Sequence, residues 1–130
     1  MGLFKKRAKA DDGTTEQDDS EGHGADGVLR ENIEGQPSVR FYTGDLASDA
    51  AIIAAGHEPN GYFWEGVLRF LDPSLADSLE LDSEAGMFAA YGSAAQCDRV
   101  RDLLVPLIAD ADVIREVLSS AEAAGHDFDD

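Results

Sequence analysis

Residues 56–71, GHEPNGYFWEGVLRFL, constrain the fold most because they contain the single tryptophan of the chain and a strongly apolar helical pattern. Asn60 is a residue type that caps helices by accepting a hydrogen bond from a free N–H group of the first turn. Apolar residues then recur at helical spacing, at Phe63, Trp64, Val67, Leu68 and Leu71. The pattern predicts a capped helix that buries Phe63 and Trp64, whereas Tyr62 suits a buried or an exposed position equally well.

Two β-hairpins are predicted, one on each side of this helix. The first joins strands at residues 28–33 and 38–43 through a turn-like break at residues 34–37. Within its second strand, Val39, Phe41 and Thr43 alternate with Arg40 and Tyr42, as expected for a strand with two different faces. The second hairpin joins residues 78–82 and 87–91 through turn residues 83–86.

Capping residues and apolar periodicity predict three further helices. One starts after Asp45 or Ser48 and runs to about Ala55, with Gly56 suited to the left-handed exit. Another starts at a capping box of Ser93 and Gln96. Its expected buried stripe comprises Cys97, Val100, Leu103, Leu104, Leu107 and Ile108.

The ends of the predicted helices are marked by proline, glycine and aspartate. Pro106 is expected to kink or break the helix that starts at Ser93, because it removes one helical hydrogen bond. The last helix should follow Asp110 or Asp112 and stop at Gly125. Asp72-Pro73 should end the central helix, which leaves residues 74–77 as a connector and residues 126–130 as a frayed acidic end.

The predicted order of elements is β-β-α-α-β-β-α-α. Short connections in this order indicate an α+β domain, with helices covering one face of a mainly antiparallel sheet of about four strands. A mixed sheet, with strands joined across the helices, is the alternative. Residues 10–27 contain no large apolar side chain, so residues 1–27 are predicted to be a disordered tail and residues 28–130 a single domain.

The chain is strongly acidic, with a formal net charge of −17 from 27 acidic and 10 basic residues. This balance disfavours nucleic acid and anionic membranes as partners and favours a basic protein, although solubility alone would also explain it. A lone cysteine, Cys97, excludes an intrachain disulfide. The sequence shows no membrane-spanning stretch and no secretory signal, so a cytoplasmic location is expected.

Sequence motifs for common enzyme classes are absent, and neither a cofactor nor a catalytic residue is predicted. The pair His57-Glu58 lacks a second histidine or cysteine at ligand spacing, so a loop histidine is favoured over a metal site. Cys97 lies on an apolar stripe, which favours packing over catalysis. Asp82 and Glu84 suit a solvated turn better than a catalytic acid pair.

The central stretch, followed by LELDSEAGMFAAYGSAAQCDRVRDLLVPLIAD, resembles the immunity protein 51 family of bacterial polymorphic-toxin systems. The similarity covers about residues 28–124. It rests on an N-G-Y-x-W-E loop and helix, an acidic D-S-E-A-G turn before an aromatic strand, and the helix after that strand. The resemblance implies a non-enzymatic antidote that binds and blocks a cognate toxin.

If the chain is such an antidote, a carboxylate-rich surface could occupy a basic toxin groove in place of phosphate. Trp64 is expected to support the contact surface from beneath, and the predicted contact residues are Glu58, Asn60, Tyr62, Glu65, Asp82 and Glu84. Two other interpretations stay open, namely an acidic adaptor or regulatory module with a basic partner, and a hydrolase that uses His57, Glu58 and Asp82. The sequence leaves open the identity of the toxin, the binding face and the oligomeric state.

Overall fold

The computed structural model describes residues 27–128 as a four-stranded antiparallel sheet with five helices. The predicted α+β class is confirmed. The disorder predicted for residues 1–26 lies outside the described residues. The elements are β1 Leu29–Ile33, β2 Gln36–Tyr42, α1 Asp49–Ala54, α2 Gly61–Leu71, α3 Pro73–Ser78, β3 Glu80–Leu81, β4 Met87–Tyr91, α4 Ala94–Ala109 and α5 Ala111–Ala123.

Both predicted hairpins form, and the sheet order β1-β2-β4-β3 places their longer strands side by side. β2 pairs with β1 and with β4, so that Phe41 lies opposite Phe88 and Tyr42 lies opposite Met87. The first turn is tighter than predicted, because Glu34 and Gly35 both adopt positive φ angles, 52° and 82°, and β2 resumes at Gln36. β4 has the predicted bounds, whereas β3 has two residues instead of the five predicted.

The core lies between one face of the sheet and the helices. The ring of Phe41 stacks on that of Phe88 at 5.1 Å and meets the edge of Trp64 at 5.5 Å. Burial of these large rings supplies much of the apolar area removed from water. The helices supply most of the other fully buried side chains, including Ile52, Phe63, Val67, Leu68, Val100, Leu104 and Ile114.

The predicted helix caps are confirmed at three helices. Asn60 Oδ1 accepts a hydrogen bond from Phe63 N–H at 2.8 Å, and Ser93 and Gln96 form the complete capping box. Asp110 caps α5 by accepting from Asp112 N–H at 2.8 Å. At α1 the cap residue is Ser48, which makes no side-chain cap hydrogen bond, and Gly56 takes the expected positive φ of 91°.

The predicted connector at residues 74–77 is wrong, because these residues lie inside α3. Asp72 ends α2 and also caps α3, accepting from Leu75 N–H at 3.2 Å. Pro73 occupies the start of α3, where its missing N–H group costs nothing. A proline that ends one helix therefore begins the next.

The break that was the second alternative at Pro106 does not occur, and the prediction for residues 126–128 is wrong. α4 is one helix from Ala94 to Ala109, and Pro106 lies exposed in its last turn, where one lost hydrogen bond does not end it. Residues 126–128 are not frayed, since Phe128 is 2% exposed and His126 Nε2 lies 2.8 Å from Gly66 O. Residues 129–130 lie outside the described part. Within residues 27–128, no helix is both long enough and apolar enough to cross a bilayer.

Candidate partner-binding surface

The structure brings together the two sequence stretches that contain the predicted contact residues. Gly61, at the start of α2, donates its N–H to Ala85 O at 3.3 Å, in the turn between β3 and β4. A Cβ at Gly61 would overlap the carbonyl oxygens of Glu84 and Met87. Only glycine therefore lets the start of α2 lie directly against the hairpin, and this contact makes one continuous surface from residues 58–65 and 82–86.

Glu65 fastens the same two elements with its side chain. Its Oε2 accepts from Ser83 N–H at 3.2 Å, and its Oε1 lies 3.6 Å from Arg69 Nη2 one helical turn later. The side chain is only 13% exposed. Glu65 therefore holds the hairpin on α2, and little of its carboxylate remains open to a partner.

Asn60 and Trp64 lie beneath the surface. Asn60 is 9% exposed, and its amide oxygen is used in the cap of α2. Trp64 is fully buried and packs edge-on against Phe41 and Phe63. No hydrogen-bond acceptor reaches Trp64 Nε1 within the described residues. The burial predicted for Phe63 and Trp64 is confirmed.

The exposed members of the predicted set are Glu58, Tyr62, Asp82 and Glu84. Tyr62 is 43% exposed on the first turn of α2. Glu84 sits at the hairpin turn, which is closed by two hydrogen bonds between the backbones of Glu84 and Met87, at 2.8 and 3.2 Å. Asp82 is fixed by its N–H bond to Ala89 O at 2.9 Å. These groups can accept hydrogen bonds and ion pairs from basic side chains on a backbone that is already ordered.

The charge of the described region is strongly one-sided. Residues 27–128 contain eighteen carboxylate side chains and six arginines, and all three lysines of the chain, Lys5, Lys6 and Lys9, precede this region. The ion pairs that these arginines form with carboxylates of the same domain include Arg30–Asp98, Arg40–Glu31, Arg69–Glu65, Arg99–Asp72 and Arg115–Asp112. These arginine charges are therefore paired within the domain, and the excess of carboxylates makes the electrostatic potential around it negative.

A cavity of about 550 Å³ between α1, α5 and the chain end was missed by the sequence reasoning. His57 and His126 both line it, and each lies edge-on to the Phe128 ring with centroids 5.0 Å apart. Phe128 was the available signal, because a large apolar residue just after a helix stop has to be buried somewhere. Among the described residues, no group of three or more potential ligands is placed to hold a metal ion.

Cys97 lies in the core, as its position on the apolar stripe of α4 predicted. It is fully buried, and burial raises the pKa of its thiol, an effect that the nearby Arg30 guanidinium only partly offsets. A thiol in this setting stays protonated near neutral pH, which is the opposite of an activated nucleophile. Packing is the role that its surroundings support.

Comparisons with protein-family models, with curated proteins and with solved structures find no match to this chain. Any functional assignment therefore has to come from the surface itself and from the sequence resemblance.

Proposed function

We propose that this protein is an immunity protein, a non-enzymatic antidote that binds and neutralises a cognate bacterial toxin. The observation that carries the proposal is the surface formed where α2 meets the β3–β4 hairpin. There Tyr62 and the carboxylates of Glu58, Asp82 and Glu84 stand on a backbone fixed by Gly61 and Glu65. Two of the three motifs that resemble the immunity protein 51 family, N-G-Y-x-W-E and D-S-E-A-G, fall on these same two elements.

The charge of the domain favours a basic partner. Carboxylates on a pre-ordered backbone attract a basic protein from a distance and lose little conformational entropy when they pair with it. A nuclease groove that binds phosphate offers such a surface, and carboxylates placed in it would exclude the substrate. In this proposal Tyr62, Glu58, Asp82 and Glu84 touch the toxin, whereas Asn60, Glu65 and Trp64 position them.

The first test is co-purification of the full chain with the product of the neighbouring reading frame, at low and at high salt. A complex that relieves the toxicity of that product on co-expression would support the antidote function. Weaker binding at high salt would support the role of the carboxylates. No complex, with toxicity unrelieved on co-expression, would contradict the antidote function and favour the adaptor interpretation.

A charge-reversal pair locates the binding surface. Asp82→Lys with Glu84→Lys should weaken the complex by about tenfold or more, because two attractive contacts become repulsive. The control pair is Asp102→Lys with Glu116→Lys, which makes the same change of net charge on exposed positions of α4 and α5. If the two double variants bind with equal affinity, only the net charge of the domain matters. The β3–β4 hairpin would then not be part of the binding surface.

A further inference from the structure

The sheet has a second face, which the helices do not cover. Strand alternation places on this face Leu29, Glu31 and Ile33 of β1, Gln36, Ser38, Arg40 and Tyr42 of β2, Met87, Ala89 and Tyr91 of β4, and Glu80 of β3. We refer to this set as the open face. The core contains the alternate residues Val39, Phe41, Phe88 and Ala90 but not Ala89, although Ala89 is only 4% exposed.

The open face is unusually apolar for a sheet surface that meets water. Solvent-facing positions of an antiparallel sheet are normally polar. Here Leu29, Ile33, Met87 and Tyr91 are half-buried, and the three aliphatic residues among them are not part of the core packing within the described chain. Tyr42 is 61% exposed, more than the other large apolar side chains that are exposed. Tyr42, Met87, Ala89 and Tyr91 adjoin one another on β2 and β4, and an apolar strip of this kind is typical of an interaction site.

Arg40 lies in the middle of this face, between Leu29 on β1 and Ala89 on β4. One of its terminal nitrogens pairs with Glu31 Oε1 at 3.0 Å, but its Nε is buried and has no acceptor among the described residues. Arginine and tyrosine are among the residue types that contribute most to protein–protein binding energies. Arg40 and Tyr42 are therefore suited to anchor a partner.

The open face is continuous with the surface of the proposed function. Thr43, the residue after Tyr42, donates its N–H to Gly86 O at 3.0 Å in the β3–β4 turn, and Tyr42 lies opposite Met87. Asp82 and Glu84 thus form an acidic rim at one end of the apolar patch, while Glu80 lies on the face itself. An apolar centre with a charged rim is the usual anatomy of a protein interface.

We infer that the open face is the apolar centre of the toxin interface, with Tyr42 and Arg40 as anchors, and that its partner surface presents an apolar side chain flanked by Lys or Arg. This inference rests on the proposed function. The charge of the domain argues for a basic partner and against a second copy of the chain, because two domains with eighteen carboxylates and six arginines each would repel one another.

Affinity measurements with the neighbouring gene product test the inference. Tyr42→Ala should weaken the complex by at least about tenfold, as expected for an interface anchor. Ile53→Ala is the matched control, since Ile53 is 60% exposed on α1, away from the sheet, and should change affinity less than about twofold. If Tyr42→Ala binds as tightly as the original chain, the inference that the open face contacts the toxin is overturned. The proposed antidote function would not be affected by that result.

A second measurement does not depend on any variant. The chain has two methionines, Met1 and Met87, and Met87 lies on the open face. Methyl-labelled full-length protein therefore reports directly on this face, and the Met87 methyl resonance should shift when the neighbouring gene product binds. An unchanged Met87 signal in a formed complex would overturn the inference. A shift that depends on the concentration of the protein alone would assign the face to a second copy, and absence of any complex would overturn this inference together with the proposed function.

Discussion

Phe41 and Tyr42 are neighbours in one strand, yet their side chains lie in opposite surroundings. Phe41 is 1% exposed and contacts the rings of Trp64 and Phe88, whereas Tyr42 is 61% exposed. A weaker contrast of this kind occurs along β4, where Phe88 is fully buried and Met87 is half-buried. Alternation alone produces the two faces, but only one of them is covered by helices. Apolar residues on the covered face therefore pack in the core, whereas those on the other face remain available for the partner that we propose.

Substitutions of the two neighbours should separate stability from binding. Phe41→Ala should cost about 3–5 kcal/mol of unfolding free energy, because it empties a fully packed site. Tyr42→Ala should change it by less than about 1 kcal/mol, since its side chain has little packing to lose. Urea unfolding of both variants measures the difference. Similar losses for the two would mean that Tyr42 belongs to a packed layer and that the contrast between the faces is false.

The contact between α2 and the hairpin should be the next most sensitive feature. Gly61→Ala is expected to cost about 1–3 kcal/mol, because the added methyl group has to push the backbone at Glu84 and Met87 away. Gly86→Ala is the control on the other side of the same contact, where nothing lies within 4 Å of an added Cβ. If thermal unfolding shows that Gly61→Ala and Gly86→Ala lower the stability equally, the close contact between α2 and the hairpin is not present as described.

The ion pair on the open face should contribute little to stability. Both side chains of Arg40 and Glu31 are about one-third exposed, at 30% and 31%. Replacing them together, as Arg40→Met with Glu31→Gln, should change the unfolding free energy by less than about 1 kcal/mol, as for other solvent-screened pairs. The same double variant should weaken partner binding if Arg40 is an anchor. A large loss of stability in chemical denaturation would instead give the pair a structural role.

The smallest expected effect concerns Asp49, in the first turn of α1. Burial raises the pKa of its carboxyl, and the charge of Asp45 adds to this, against the hydrogen bond from Leu46 N–H. The folded state therefore binds more protons than the unfolded state between about pH 4 and the raised folded pKa. Stability contributed by this site falls as the pH rises through that window.

Asp49→Asn should consequently be slightly more stable than the original chain at pH 7, and the difference should disappear near pH 3, where the carboxyl is protonated in both states. Denaturation midpoints at the two pH values measure this. A variant that is less stable at pH 7 than the original would show that the carboxylate is favoured by its surroundings, for example by the helix terminus.

Local signals in the sequence predicted much of the fold. The caps at Asn60 and Ser93 and the bounds of β4 depend on neighbouring residues, so they could be read directly. α3 was missed because Pro73 was interpreted only as a stop, although proline is equally at home in a first helical turn. The buried position of Phe128 depends on Gly66, which lies far earlier in the sequence and where a Cβ would lie 2.7 Å from Phe128 Cα. No local pattern records such a contact.

The candidate site was predictable only in part for the same reason. The sequence suggested that Tyr62 and the hairpin acids could act together, but only the fold shows that Gly61 joins them. Period-two alternation in β2 separated Phe41 from Tyr42 without indicating which face the helices would cover. The open face therefore emerges from the sheet order and from the placement of the helices, which are tertiary properties.

The absence of lysine from residues 27–128 has a practical consequence for measuring any interaction of this protein. Because lysine occurs only at residues 5, 6 and 9, amine-directed biotinylation or crosslinking of this chain acts at its first nine residues and cannot modify a side chain of the sheet or helices. If the protein is immobilised on a sensor surface through these amines, its attachment points all lie within the first nine residues. Both faces of the sheet would then remain chemically unaltered for a partner to bind.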